Sequence, residues 1–154
     1  MCMLEKVCSR YMNARDKIVA VARAQLGRPY AYDVEIKERM EWFDSTGLVC
    51  YCYFKAGIYV PRHLPQIIDM GTLIDAERMQ KADLVLFRGA GHQHPLFRDG
   101  VGHVAIYVGG DEIIEAVVRS IIIPHTLFEG GVQLSRFSER IADNDFRGYL
   151  KLIN

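Results

Sequence analysis

Apolar residues recur at helical spacing from Asn13 to Met70, then come in short β-branched runs from Leu84 to Ile153. That segregation restricts the chain to an α+β fold. Asn13 is a candidate N-cap with Asp16 in the first turn; Ile18, Val21, Ala22 and Leu26 follow on one face, and Gly27 and Pro29 end the helix. Arg28 to Phe43 reads as a loop with a short helical piece around Val34 to Met40. A second helix is predicted from Ser45 to Ala56, capped by Asp44 and terminated by Gly57. Its Leu48, Val49, Cys52, Tyr53 and Phe54 cover most of the circumference, so burial is expected. A short third helix follows near Leu64 to Met70. Strands are predicted at Leu84–Phe87, His103–Val108, Glu112–Val118, Ile121–Ile123, Val132–Leu134 and Gly148–Ile153, with hairpin junctions at Gly109-Gly110 and Gly130-Gly131. The expected architecture is a set of N-terminal helices packed on a five- or six-stranded antiparallel sheet. It forms a single domain over residues 13–154 behind an N-terminal arm, residues 1–12.

A chain of 154 residues can bury a core without disulfide or metal staples. Its 19 basic and 19 acidic residues cancel, which argues against a general nucleic-acid or anionic-membrane binder. No apolar run reaches the length of a membrane span, and the charge-broken N-terminus lacks the apolar region of a signal peptide. A cytoplasmic location is therefore expected. Cys2, Cys8, Cys50 and Cys52 then read as free thiols. Cys50 and Cys52 lie two apart on a helix and point in different directions, so they cannot chelate together. His92 and His94 form a His-x-His pair without a third ligand, better read as a solvated loop near a cleft. His125 has no evident role. No metal and no cofactor are expected.

Three features carry chemistry. Asp44-Ser45-Thr46 stands at the mouth of the buried helix, where free N–H groups and partial positive charge favour anions and a developing oxyanion. Capping alone would also account for those three residue types. His103 opens an apolar strand beside Gly102, able to reach into a cleft or simply half exposed. Glu115 sits in an apolar run, where a lone charge is costly and wants a partner. An odd number of residues in the Gly109-Gly110 loop would place His103 and Glu115 on one sheet face; a two-residue loop would set them on opposite faces.

Asp44-Ser45-Thr46-Gly47-Leu48-Val49, Gly57 to Arg62, Ala82 to Phe87 and Val101 to Gly109, in that order and spacing, resemble the NlpC family of papain-like cell-wall endopeptidases. The resemblance runs from about Ala14 to the C-terminus. It implies a cysteine-peptidase-type amide hydrolase with the nucleophile at position 45, His103 as base and Glu115 orienting it. It also implies that Tyr30, Asp44 and Arg62 border the substrate. The substrate implied is a peptide or small amide of the cell-wall stem-peptide type. Two departures stand out: Glu115 replaces the family's commoner histidine, and Ser45 replaces its cysteine. A hydroxyl is far less acidic than a thiol, so this form is expected to be inactive or weakly active. Three accounts of Ser45 stay open: a replacement that silences a cysteine enzyme, a natural loss leaving a binding module, or a serine nucleophile.

Overall fold

The computed structural model describes residues 12–89, 93–122 and 127–154. Helix α1 (Ala14–Ala24) begins where Asn13 Oδ1 accepts from the Asp16 N–H at 2.8 Å, and it buries Ile18, Val19 and Ala22. Helix α2 (Ser45–Lys55) is buried from Gly47 to Tyr53 and ends at Gly57, whose φ of 79° suits glycine. Helix α3 (Leu64–Met70) follows Pro61.

Six strands form one antiparallel sheet: β1 (Thr72–Ile74), β2 (Leu84–Phe87), β3 (His103–Gly109), β4 (Glu112–Ile122), β5 (Leu127–Arg136) and β6 (Phe146–Lys151), in the order β1-β6-β2-β3-β4-β5. Helix α4 (Phe137–Ala142) lies between β5 and β6 in the chain. Strand alternation divides the apolar residues between two cores. Leu84, Leu86, Val104, Ile106 and Ile114 join α1 and α2. Val85, Phe87, Ala105 and Ile113 join Phe137 and Ile141 of α4 and Tyr149 of β6. Covered on both faces, β2 reads as an unbroken apolar run. Arg15 pins α1 down by pairing with buried Asp83 at 2.7 Å and donating to the Ile153 carbonyl.

Four expectations change. Val34 to Met40 is not helical: Val34 and Ile36 turn partly inward between exposed Glu35 and Lys37, and side chains hold the backbone. Arg62 Nε donates to the Val34 carbonyl, a tertiary bond, and the Lys37 N–H to Met40 Sδ, a local side-chain bond, so neither group joins a helical ladder. The strands expected at Glu112–Val118 and Ile121 onward are one strand, β4, interrupted by a bulge between Val118 and Ser120. Gly130-Gly131 is not a turn but lies inside β5. A Cβ at Gly130 would come 2.0 Å from the Val117 carbonyl, and one at Gly131 would come 2.4 Å from that of Arg28. Those glycines let the segment from Gly27 to Tyr30 dock on β5: the Tyr30 N–H donates to Gly130 O, and Gly27 and Val132 also bond across. Finally, β1 and α4 carry too few residues for a periodic signal and were not expected. Residues 1–11, His92 and His125 lie outside the described residues.

Candidate active site

The site is built where α2 meets the sheet. Asp44 Oδ1 accepts from the Gly47 N–H at 2.6 Å, and the Asp44 carbonyl takes the Leu48 N–H at 3.0 Å. The N–H groups of Ser45 and Thr46 have no hydrogen-bond partner among the described residues. A Cβ at Gly47 would lie 2.8 Å from Asp44 Oδ1, which explains a glycine two residues after Ser45. Asp44 Oδ2 pairs with Arg62 at 2.5 Å and accepts from the Asp33 N–H at 2.8 Å; Arg62 also donates to Thr46 Oγ1. Asp44→Ala removes the cap and strands the Arg62 charge. It is expected to lower the unfolding free energy by about 2–4 kcal/mol in urea titration, with Asp44→Asn losing less because an amide still caps.

The β3–β4 hairpin sets the second half. Tyr107 pairs with Ile113 and Gly109 with Glu112, so the turn itself has two residues, Gly110 and Asp111. A bulge between Tyr107 and Gly109 supplies the odd residue, made possible by Gly109 at φ 98° and Gly110 at φ 61°. His103 and Glu115 therefore share a face despite the two-residue turn. Their side chains meet, His103 Nε2 to Glu115 Oε2 at 2.6 Å. Glu115 Oε1 accepts from Ser135 Oγ at 2.6 Å and from Arg140 Nε at 3.2 Å, which leaves Oε2 to the imidazole. Burial alone would raise the Glu115 carboxyl; the hydrogen bond and charge of His103, the Ser135 hydroxyl and the Arg140 charge override it and hold the pKa at about 2. An ionised carboxylate can only accept, so Nε2 carries hydrogen and Nδ1 is the ring nitrogen free to take a proton. Arg140 is fixed in turn by lying 4.2 Å over the Phe87 ring and by contacts to Asp143 and Asp145. At the strand entrance, a Cβ on Gly102 would come within 2.6 Å of the Gly89 backbone, a close approach that sets where His103 begins.

Ser45, His103, Tyr30, Asp44 and Arg62 line one cavity of about 740 Å³. The expected residues are thus assembled, with one qualification: no hydrogen bond joins Ser45 Oγ to His103. Tyr30 sits beside Asp44, and burial followed by that negative charge raises its phenol above the ordinary value. Glu115 was expected only to orient His103; the Ser135 and Arg140 donors that fix it were missed, since nothing local marks residues so distant in sequence. His94 is buried rather than solvated. Its Nε2 meets Asp69 at 3.0 Å and its Nδ1 accepts from the Leu96 N–H at 3.2 Å, so both nitrogens are occupied in tethering the loop to α3. No cluster of metal-ligating side chains occurs among the described residues.

A buried helix packed on an antiparallel sheet, with Ser45 of the helix start and His103 of the sheet lining one cavity, is a papain-like fold. The family model that matches, over residues 27–141, is NlpC/P60, and the chain belongs to the NlpC/P60 family. Over 99 residues it is 29% identical to the gamma-DL-glutamyl hydrolase of Bacillus subtilis, covering 64% of this chain but 22% of that protein. Among solved structures, an NLP/P60-family protein similar to a lipoprotein from Staphylococcus aureus superposes with a TM-score of 0.69 at 24% identity, over 92% of this chain and 42% of that one. RipD of Mycobacterium tuberculosis, described as a non-catalytic NlpC/p60 domain adapted to peptidoglycan binding, gives 0.66 at 21% identity, over 94% of this chain and all of that one.

Proposed function

We propose that this chain hydrolyses an amide bond in a peptidoglycan-like peptide, with Ser45 as nucleophile. The observation that carries the reading is the His103–Glu115 bond at 2.6 Å, placed on the same cavity as Ser45. Ser45 Oγ attacks the amide carbonyl as His103 Nδ1 takes its proton, and the imidazolium is stabilised by Glu115. The oxyanion meets the N–H groups at the start of α2. His103 then gives the proton to the departing amine, leaving an ester on Ser45. Water, deprotonated by the same nitrogen, attacks the ester; the acid leaves and Ser45 regains its proton. Glu115 in place of a histidine suits this chemistry. A hydroxyl loses its proton only as it attacks, so its base must become cationic, and a buried carboxylate favours that more than a neutral ring would.

The substrate class follows the family and the relative's γ-glutamyl specificity. The native chain should release the diamino acid from a γ-D-glutamyl-diamino-acid peptide, slowly, and Ser45→Ala should release none. A second reading, binding without cleavage, is favoured by the missing hydrogen bond between Ser45 and His103. Tight retention of the uncut peptide by the native chain would select it.

A further inference from the structure

Most charges on the cavity wall are matched. Asp44 pairs with Arg62, and Arg140 with Glu115 and Asp145. Among the described residues, two charged groups of that wall, Asp33 and Arg88, have neither an ion pair nor a side-chain hydrogen bond. Both are exposed, and the stretch after Arg88 from residue 90 to residue 92, Ala-Gly-His, contains no acid that could neutralise it.

The backbone fixes where each stands. Asp33 donates its own N–H to Asp44 Oδ2, which holds it beside the start of α2 at a left-handed φ of 54°. Arg88 follows Phe87, the β2 partner of His103, and its N–H donates to the Asp145 carbonyl at 2.6 Å. One free negative charge thus lies on the Ser45 side and one free positive charge on the His103 side. His103 protonates the departing amine, so the leaving fragment lies toward Arg88 and the acyl fragment toward Asp33.

We infer that the cavity selects a short zwitterionic peptide, its free ammonium group against Asp33 and the free carboxylate of its leaving amino acid against Arg88. This rests on the proposed function: the cavity being a peptide site, with the orientation that proton transfer from His103 to the leaving amine sets. A peptide continued at either end would bring a neutral amide to a charged group and forfeit a charge-assisted contact.

The test is equilibrium binding of γ-D-glutamyl-lysine to the native chain and to Ser45→Ala, which keeps the peptide intact. The peptide is prepared free, N-acetylated and with its lysine carboxylate amidated. Amidation is expected to weaken binding by about tenfold, and acetylation by a similar factor. Arg88→Gln should bind the free and amidated peptides alike while still discriminating acetylation. Asp33→Asn should show the reverse, asparagine being tolerant of the left-handed conformation. Circular dichroism checks that these exposed substitutions leave the fold intact. Equal binding of free and amidated peptide by the native chain, or discrimination that survives Arg88→Gln, overturns the inference. If none of the three peptides binds at all, the peptide-site reading falls and takes the inference with it.

Discussion

Glu115→Gln is expected to lower turnover by about three orders of magnitude and to weaken the acid dependence of stability. The amide oxygen can still accept from Ser135 and Arg140, which turns its NH2 toward His103 Nε2. That donor demands the opposite tautomer, with the proton on Nδ1, where it cannot act as base. The acid dependence follows from the carboxyl itself. Its folded pKa of about 2 lies below the ordinary 4.5, so its stabilisation is fully present above pH 5 and is lost as pH falls through the folded value. For a side chain 1% exposed, that shift corresponds to about 3 kcal/mol at neutral pH. Urea midpoints for both proteins at pH 7 and pH 3 check it: the gap should narrow on acidification. A gap that stays constant would show that the carboxylate is not ionised by its neighbours.

Ser45→Cys is expected to create a thiol that iodoacetamide alkylates at pH 7 about a hundredfold faster than either native buried cysteine. Position 45 has the α2 N-terminus beneath it and His103 across the cavity, both of which favour a thiolate. Cys50 has the opposite environment, burial pushing its thiol to about 11, and Cys52 is raised further by complete burial. Adding His103→Ala should return the rate to that of an ordinary exposed thiol. Mass mapping of the alkylated peptides resolves the three sites. A rate at position 45 no faster than a free thiol would mean that the cavity is not built to activate a nucleophile.

The halves of this fold were legible to different depths. Helices with a capping residue and a glycine stop, α1 and α2, could be placed from sequence because their end signals are local and chemical: Asn13 and Asp44 cap through their side chains, and Gly57 takes the positive φ that its missing side chain allows. The segment from Val34 to Met40 could not, since side chains take up its backbone groups, that of distant Arg62 at the Val34 carbonyl and that of Met40 at the Lys37 N–H, in place of helical bonds. Glycine pairs were ambiguous for a related reason. Gly109-Gly110 and Gly130-Gly131 look alike, yet the first makes a turn with its bulge, while the second makes room for a neighbouring backbone. At the site, His103 and Glu115 could be singled out from sequence, but their pairing depended on the bulge between Tyr107 and Gly109, which offsets the two-residue turn and is not marked by spacing. Ser135, Arg140, Asp33 and Arg88 could not, because only the folded chain brings the first two to Glu115 and the last two to the cavity wall.

In the proposed reaction His103 and Glu115 activate Ser45 as a nucleophile. The most direct measurement is intact-mass analysis of the native chain after exposure to a fluorophosphonate, which phosphonylates only an activated serine, followed by peptide mapping. One adduct is expected, on Ser45, that disappears in His103→Ala and is strongly slowed in Glu115→Gln. A native chain that binds γ-D-glutamyl peptide yet gains no adduct on Ser45 would contradict it and leave a peptide-binding domain in an enzyme's fold.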